Sequence, residues 1–129
     1  MKTRILPMDD HMVVEVSGYI DFENSRPISE SLDEIYKRDE NARVVLDFSH
    51  LEFVGSSGLS TFVKSLRVFN RMRMKPSYFG VKSEFVRLFR AFEEEQPFEV
   101  YDSHQRAKDS ALDRYRQWEA RTHRSIRTH

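Results

Sequence analysis

The stretch Arg43-Val44-Val45-Leu46-Asp47-Phe48-Ser49-His50-Leu51-Glu52-Phe53-Val54-Gly55-Ser56-Ser57-Gly58-Leu59 changes character midway. Val44 to Phe48 is short, apolar and β-branched, as a strand buried on both faces must be, and it predicts the central strand of a sheet. Gly55 and Gly58 then bracket two serines, and Leu59, Phe62, Val63, Leu66 and Phe69 recur on one face at helical spacing. That pattern predicts an amphipathic helix from about Ser57 to Arg71. Small residues at a strand-to-helix junction let the backbone turn sharply and leave the hydroxyls of Ser56 and Ser57 on display. A helix start also presents unpaired amide donors and a partial positive charge, so an anion is favoured there. In open α/β sheets, binding crevices form at this end of the strands.

Outward from the junction, strands and helices alternate. Upstream, Met12-Val13-Val14-Glu15-Val16-Ser17 predicts a strand ending at Gly18, and Ile5-Leu6 pairs with it across an Asp9-Asp10 turn. Pro27 suits a first helical position, and Ile28, Leu32, Ile35 and Tyr36 mark one helical face. Downstream, Tyr78-Phe79-Gly80-Val81 predicts a strand, Phe85, Leu88, Phe89 and Phe92 a third helix bounded by Pro97, and Phe98-Glu99-Val100-Tyr101 the last strand. From Ser103, Ala107, Ala111, Tyr115, Trp118 and Thr122 define a final helix longer than a compact domain needs, with a polar end expected to fray. The order ββαβαβαβα predicts an α/β fold, a central mixed and mostly parallel sheet flanked by helices with an extended C-terminal helix. Residues 1–112 are expected to form the domain and residues 113–129 a basic helical extension.

A chain of 129 residues supplies one domain with a core but not two. With 39% apolar and 33% charged residues, it fits a folded protein with a heavily charged surface. Zero cysteines exclude disulfides, Cys-ligated metal and a cysteine nucleophile. No run of about 18 apolar residues exists, and Met1 to Pro7 carry no apolar stretch of export-signal length, so a cytoplasmic protein without membrane insertion is expected. The formal net charge of zero conceals an asymmetry. Residues 104–129 hold seven Lys or Arg against three Asp or Glu, a net +4, which leaves −4 on residues 1–103. An acidic body argues against nucleic acid as a partner, because phosphate binding needs concentrated positive charge.

The quoted stretch resembles the signature of STAS domains, the anti-sigma-factor antagonists of bacteria, in which a buried strand, a leucine and an aromatic precede Asp-Ser-Ser-Gly-Leu. Gly18-Tyr19-Ile20-Asp21 is similar to the family's Gly-x-Leu-Asp before its first helix, and Tyr101-Asp102-Ser103 with Ala107 to its last strand and helix. The resemblance implies a STAS-like fold over roughly residues 3–112. It also implies a regulatory protein, not an enzyme, that docks on a kinase-type anti-sigma factor and is released by serine phosphorylation. The phosphoacceptor maps onto Ser56, and the implied partner surface onto Asp21, Phe22, Gly55, Ser57, Gly58 and Ser60. One position departs: Gly55 stands where the family has Asp, so the carboxylate beside the acceptor is absent. The alternative is a non-phosphorylated scaffold or adaptor that assembles a larger signalling or transport complex.

Other chemistries fit less well. Gly55-Ser56-Ser57-Gly58-Leu59 lacks the final glycine of a nucleophile elbow, and no histidine spacing fixes a triad. No Lys follows Gly58, as a P-loop requires, and no His pair sits at i, i+4 for a metal, so neither cofactor nor metal is expected. Structurally, Ser57 is the better helix cap, and an Asp at position 21 would ordinarily only form a turn. Lys64, Arg67, Arg71, Arg73 and Lys75 read first as favourable charge on a solvated face near a helix C-terminus. Tyr115 and Trp118, set among arginines, either pack back onto the domain or dock a partner or a second copy of the chain.

Overall fold

The computed structural model describes residues 1–20, 26–53 and 56–127, without the side chains of residues 20, 53, 56–59 and 123–127. The elements run β1 (Lys2–Pro7), β2 (Met12–Ile20), α1 (Arg26–Arg38), β3 (Val44–Phe53), α2 (Ser56–Asn70), β4 (Ser77–Phe79), α3 (Ser83–Ala91), β5 (Glu99–Tyr101) and α4 (His104–Arg127). This is the predicted order. The five strands lie side by side in chain order, β1 antiparallel to β2 and every later pair parallel, with β3 central as its apolar run requires.

Alternation along the strands divides the sheet into two faces. Val14, Val16, Val44, Leu46, Phe48 and Tyr78 point to one, where they meet Ile28, Leu32, Ile35 and Tyr36 of α1, Phe62, Val63, Leu66 and Phe69 of α2 and Phe89 of α3. Phe48 stands at the middle of an aromatic cluster, its ring centroid 5.6–6.3 Å from those of Phe62, Tyr78 and Phe89. The other face is covered by α4, whose Ala107 and Ala111 are fully buried against β3, β4 and β5. Alanine at those two positions lets the helix backbone approach the sheet closely.

The α4 face is unusually polar. The Arg114 guanidinium donates to Lys75 O (2.8 Å), Ser77 Oγ (2.6 Å) and Ser110 Oγ (2.6 Å). Lys75, itself buried, donates to Pro97 O (2.9 Å) and pairs with Glu99 at 3.3 Å, and Tyr101 donates to Glu99 Oε2 at 2.7 Å. Burial works against ionisation of Glu99, but the Tyr101 hydrogen bond and the Lys75 charge outweigh it and hold the carboxyl below its ordinary value. Tyr36 donates to Met74 O at 2.8 Å, and burial pushes its hydroxyl well above the ordinary tyrosine range.

Three expectations change. β3 does not stop at Phe48, and β2 does not stop at Gly18: the two remain paired through Ile20 and Phe53. Glu15 pairs with Asp47 and Ser17 with His50, so β3 carries one more residue than β2 in between, a bulge at Phe48-Ser49. The basic residues late in α2 and after it form a solvated face only in part: Lys64, Arg71 and Arg73 are exposed and Arg67 is half-buried. Arg67 and Arg71 pair with Glu94, Lys75 is buried, and Arg73 lies over Trp118 at 4.6 Å. Tyr115 likewise sits beneath Arg43 at 4.3 Å, so both aromatic residues of the C-terminal segment pack back onto the domain. As the spacing from Ala107 to Thr122 predicts, α4 runs on past Leu112.

Candidate functional site

The bulge shapes the end of the sheet where the serines lie. Asp47, nearly buried, accepts from Ser49 N at 2.9 Å and from Ser49 Oγ at 2.5 Å, both through Oδ1, and so holds the extra residue in its bend. Gly80, with φ of 80°, passes directly over it: a Cβ there would stand 2.5 Å from Ser49 N and 2.8 Å from its Cα. Only glycine permits that approach. β4 leaves the sheet at Phe79 opposite Asp47 and β1 pairs no further than Ser17, so Gly18–Ile20 and Leu51–Phe53 continue as a two-stranded ribbon.

Two segments leave the tip of that ribbon. Ile20 pairs with Phe53, so the two strands end side by side. Asp21, Phe22 and Gly55 lie outside the described residues. Ser56 is the first residue of α2, with Ser57 and Gly58 following in the same turn. The helix thus starts within a residue of the predicted position. Ser60, one turn on, is half-buried. The structure thus brings the backbone of Ser56, Ser57, Gly58 and Ser60 to the end of β3.

Sequence reasoning missed the ribbon's own surface. Tyr19 is 59% exposed, paired in register with the exposed Glu52, with exposed His50 on the same strand. The signal was present in Gly18-Tyr19-Ile20, an aromatic inside a β-branched run after a glycine. Gly18 adopts φ of 95°, and the strand tolerates it beside the chain's first residue. A separate concavity between the β1–β2 turn and the end of α1, floored by Ile5, Met12, Ile35 and Ala42, lies at the opposite end of the strands from Ser56. Among the described residues no cluster of three or more His, Asp or Glu could hold a metal, and no helix is long and apolar enough to cross a membrane.

Fold and site together define a small α/β module with helix-flanked strands and a serine-bearing helix start at the end of its central strand. The STAS domain family model matches residues 5–107, and the chain belongs to that family. Among curated proteins, the anti-sigma-B factor antagonists of Listeria monocytogenes and Listeria innocua are each 30% identical over 80 residues, 62% of this chain and 69% of theirs. Among solved structures, a serine-to-glutamate variant of Moorella thermoacetica RsbS superposes with a TM-score of 0.65 at 18% identity, covering 90% of this chain and 99% of that one. The anti-sigma factor antagonist SpoIIAA in its unphosphorylated form gives 0.54 at 15% identity, with 88% and 97% covered.

Proposed function

We propose that this protein is an anti-sigma-factor antagonist that docks a kinase-type anti-sigma factor on the ribbon tip and the first turn of α2, and that phosphorylation of Ser56 ends the docking. The observation that carries the reading is the position of Ser56 as the first residue of a helix at the carboxyl end of the central strand. The curated relatives named anti-sigma-B factor antagonists support it. A phosphate there adds about −1.5 to −2 charges at a helix N-terminus, where the fold itself accommodates negative charge. The cost falls on the partner: a like charge across a protein interface costs several kcal/mol, and each 1.4 kcal/mol is about tenfold in affinity. Asp21, Phe22, Gly55, Ser57, Gly58 and Ser60, with the exposed Tyr19, form the proposed contact surface.

The test is intact mass after incubation with a purified serine-kinase anti-sigma factor and ATP, followed by binding of the unmodified chain, Ser56→Ala and Ser56→Asp to that factor. One added phosphate, absent in Ser56→Ala, and a binding loss of at least about tenfold in Ser56→Asp are expected. A phosphate that survives Ser56→Ala, or none at all, removes the switch. Binding that is indifferent to both variants points to the adaptor alternative, to which the missing carboxylate at Gly55 lends weight.

A further inference from the structure

Two histidines separated by 93 positions meet on the α4 face. His11 Nε2 lies 3.0 Å from His104 Nε2, and His11 Nδ1 lies 2.6 Å from Asp10 Oδ1. His11 is buried, and His104 stacks on Phe79 of β4 with ring centroids 5.3 Å apart. These contacts join the first residue of α4 to the β1–β2 turn. We propose that His11 and His104 hold one proton between their facing nitrogens, and that protonation of both rings loosens the first turn of α4 from the sheet, making its seating an acid-sensitive latch.

The argument is one of donors and acceptors. Asp10 takes the Nδ1 proton of His11, so in the uncharged pair His11 Nε2 is bare and accepts the Nε2–H of His104. With one further proton, His11 can carry hydrogens on both nitrogens and still donate to Asp10 and to a bare His104 Nε2. With both rings cationic, two N–H groups face each other at 3.0 Å, and the contact cannot persist. The surrounding charges are divided. Asp10 on the turn and Asp47 on β3 favour added positive charge, whereas Lys108 of α4, 3.7 Å from Asp10 Oδ2, and Arg43 just before β3, which donates to Asp10 O, oppose it. Burial first, then His11 and Lys108, hold the His104 imidazole below its ordinary value, so the latch is closed at neutral pH and opens in acid.

Imidazole nitrogen NMR and amide-exchange protection of residues 104–108, measured on the full chain at about pH 7.5 and about pH 5, test this. In the wild type, protection over the first turn of α4 should fall by about tenfold in acid, in step with the appearance of the state in which both rings are protonated. His104→Gln keeps a donor for His11 but cannot titrate, and its protection should stay level across the same range. Asp10→Asn removes the carboxylate that offsets the added charge and should move the loosening to lower pH. Wild-type protection that ignores pH, an equal fall in His104→Gln, or no displacement in Asp10→Asn would overturn the proposal.

Discussion

At Gly80, a φ of 80° and a neighbouring backbone nitrogen 2.5 Å from the site of any Cβ act together, whereas at Gly18 the nearest such atom is 3.4 Å away and only the dihedral matters. Gly80→Ala should therefore lower unfolding stability by about 2–3 kcal/mol and Gly18→Ala by about 1–2, read as shifts in urea midpoint at constant slope. The larger effect would also displace Ser49 and with it the bend that aims the ribbon. A second residue-scale expectation concerns Glu99. Its carboxyl titrates below the ordinary value in the folded chain, so its share of stability is present above the unfolded carboxylate value of about 4.3 and is lost as pH falls through the lower, folded one. Glu99→Gln should flatten the acid limb of a stability-against-pH curve, while leaving buried Lys75 less well paired and so lowering the neutral plateau. A variant whose curve parallels the wild type would show that Lys75 and Tyr101 do not hold this carboxyl.

Among the elements, α4 holds on by unequal contacts. Arg114 places three donated hydrogen bonds in a buried setting, whereas the Arg73–Trp118 and Arg43–Tyr115 contacts lie nearer solvent. Arg114→Ala should cost about 2–3 kcal/mol and Trp118→Ala about 1, so ending the chain after Leu112 should destabilise it more than either, measured by chemical denaturation. Equal effects from the two point variants would mean that the buried donors contribute little. The elements also show what the sequence could reveal. Helical faces such as Ile28-Leu32-Ile35-Tyr36 and the apolar run of β3 were legible because burial imposes a period. The continuation of β3 to Phe53 was not, because a bulge inserts one residue and hides the alternation on which strand reading depends. The His11–His104 contact was equally invisible, since nothing local ties positions 93 apart. Of the candidate site, the Gly-Ser-Ser-Gly junction could be read directly. The exposed Tyr19 needed the ribbon to be seen first.

For the whole molecule, the acidic body and basic C-terminal segment are joined by few charges out of solvent. Several of the ion pairs, such as Arg26–Glu30, Arg38–Glu34 and Arg106–Asp102, are exposed and join neighbours within one turn of a helix or at its start. Pairs of that kind contribute about 0–1 kcal/mol each and are screened by salt. Raising ionic strength from about 0.05 to about 0.5 M should therefore change unfolding stability by no more than about 1 kcal/mol in total. A larger loss would mean that the charge asymmetry itself clamps α4 to the body.

The sheet is laid down in the order in which the chain is written, each strand beside its immediate predecessor. On the ribosome, every new strand thus finds its partner already synthesised, and no earlier pairing has to open to admit it. The cover for the second face arrives last, because α4 is the final element. Until α4 has been made, Val45 and Phe79 have no helix above them, which makes the nascent chain before α4 emerges the form most in need of a chaperone's protection.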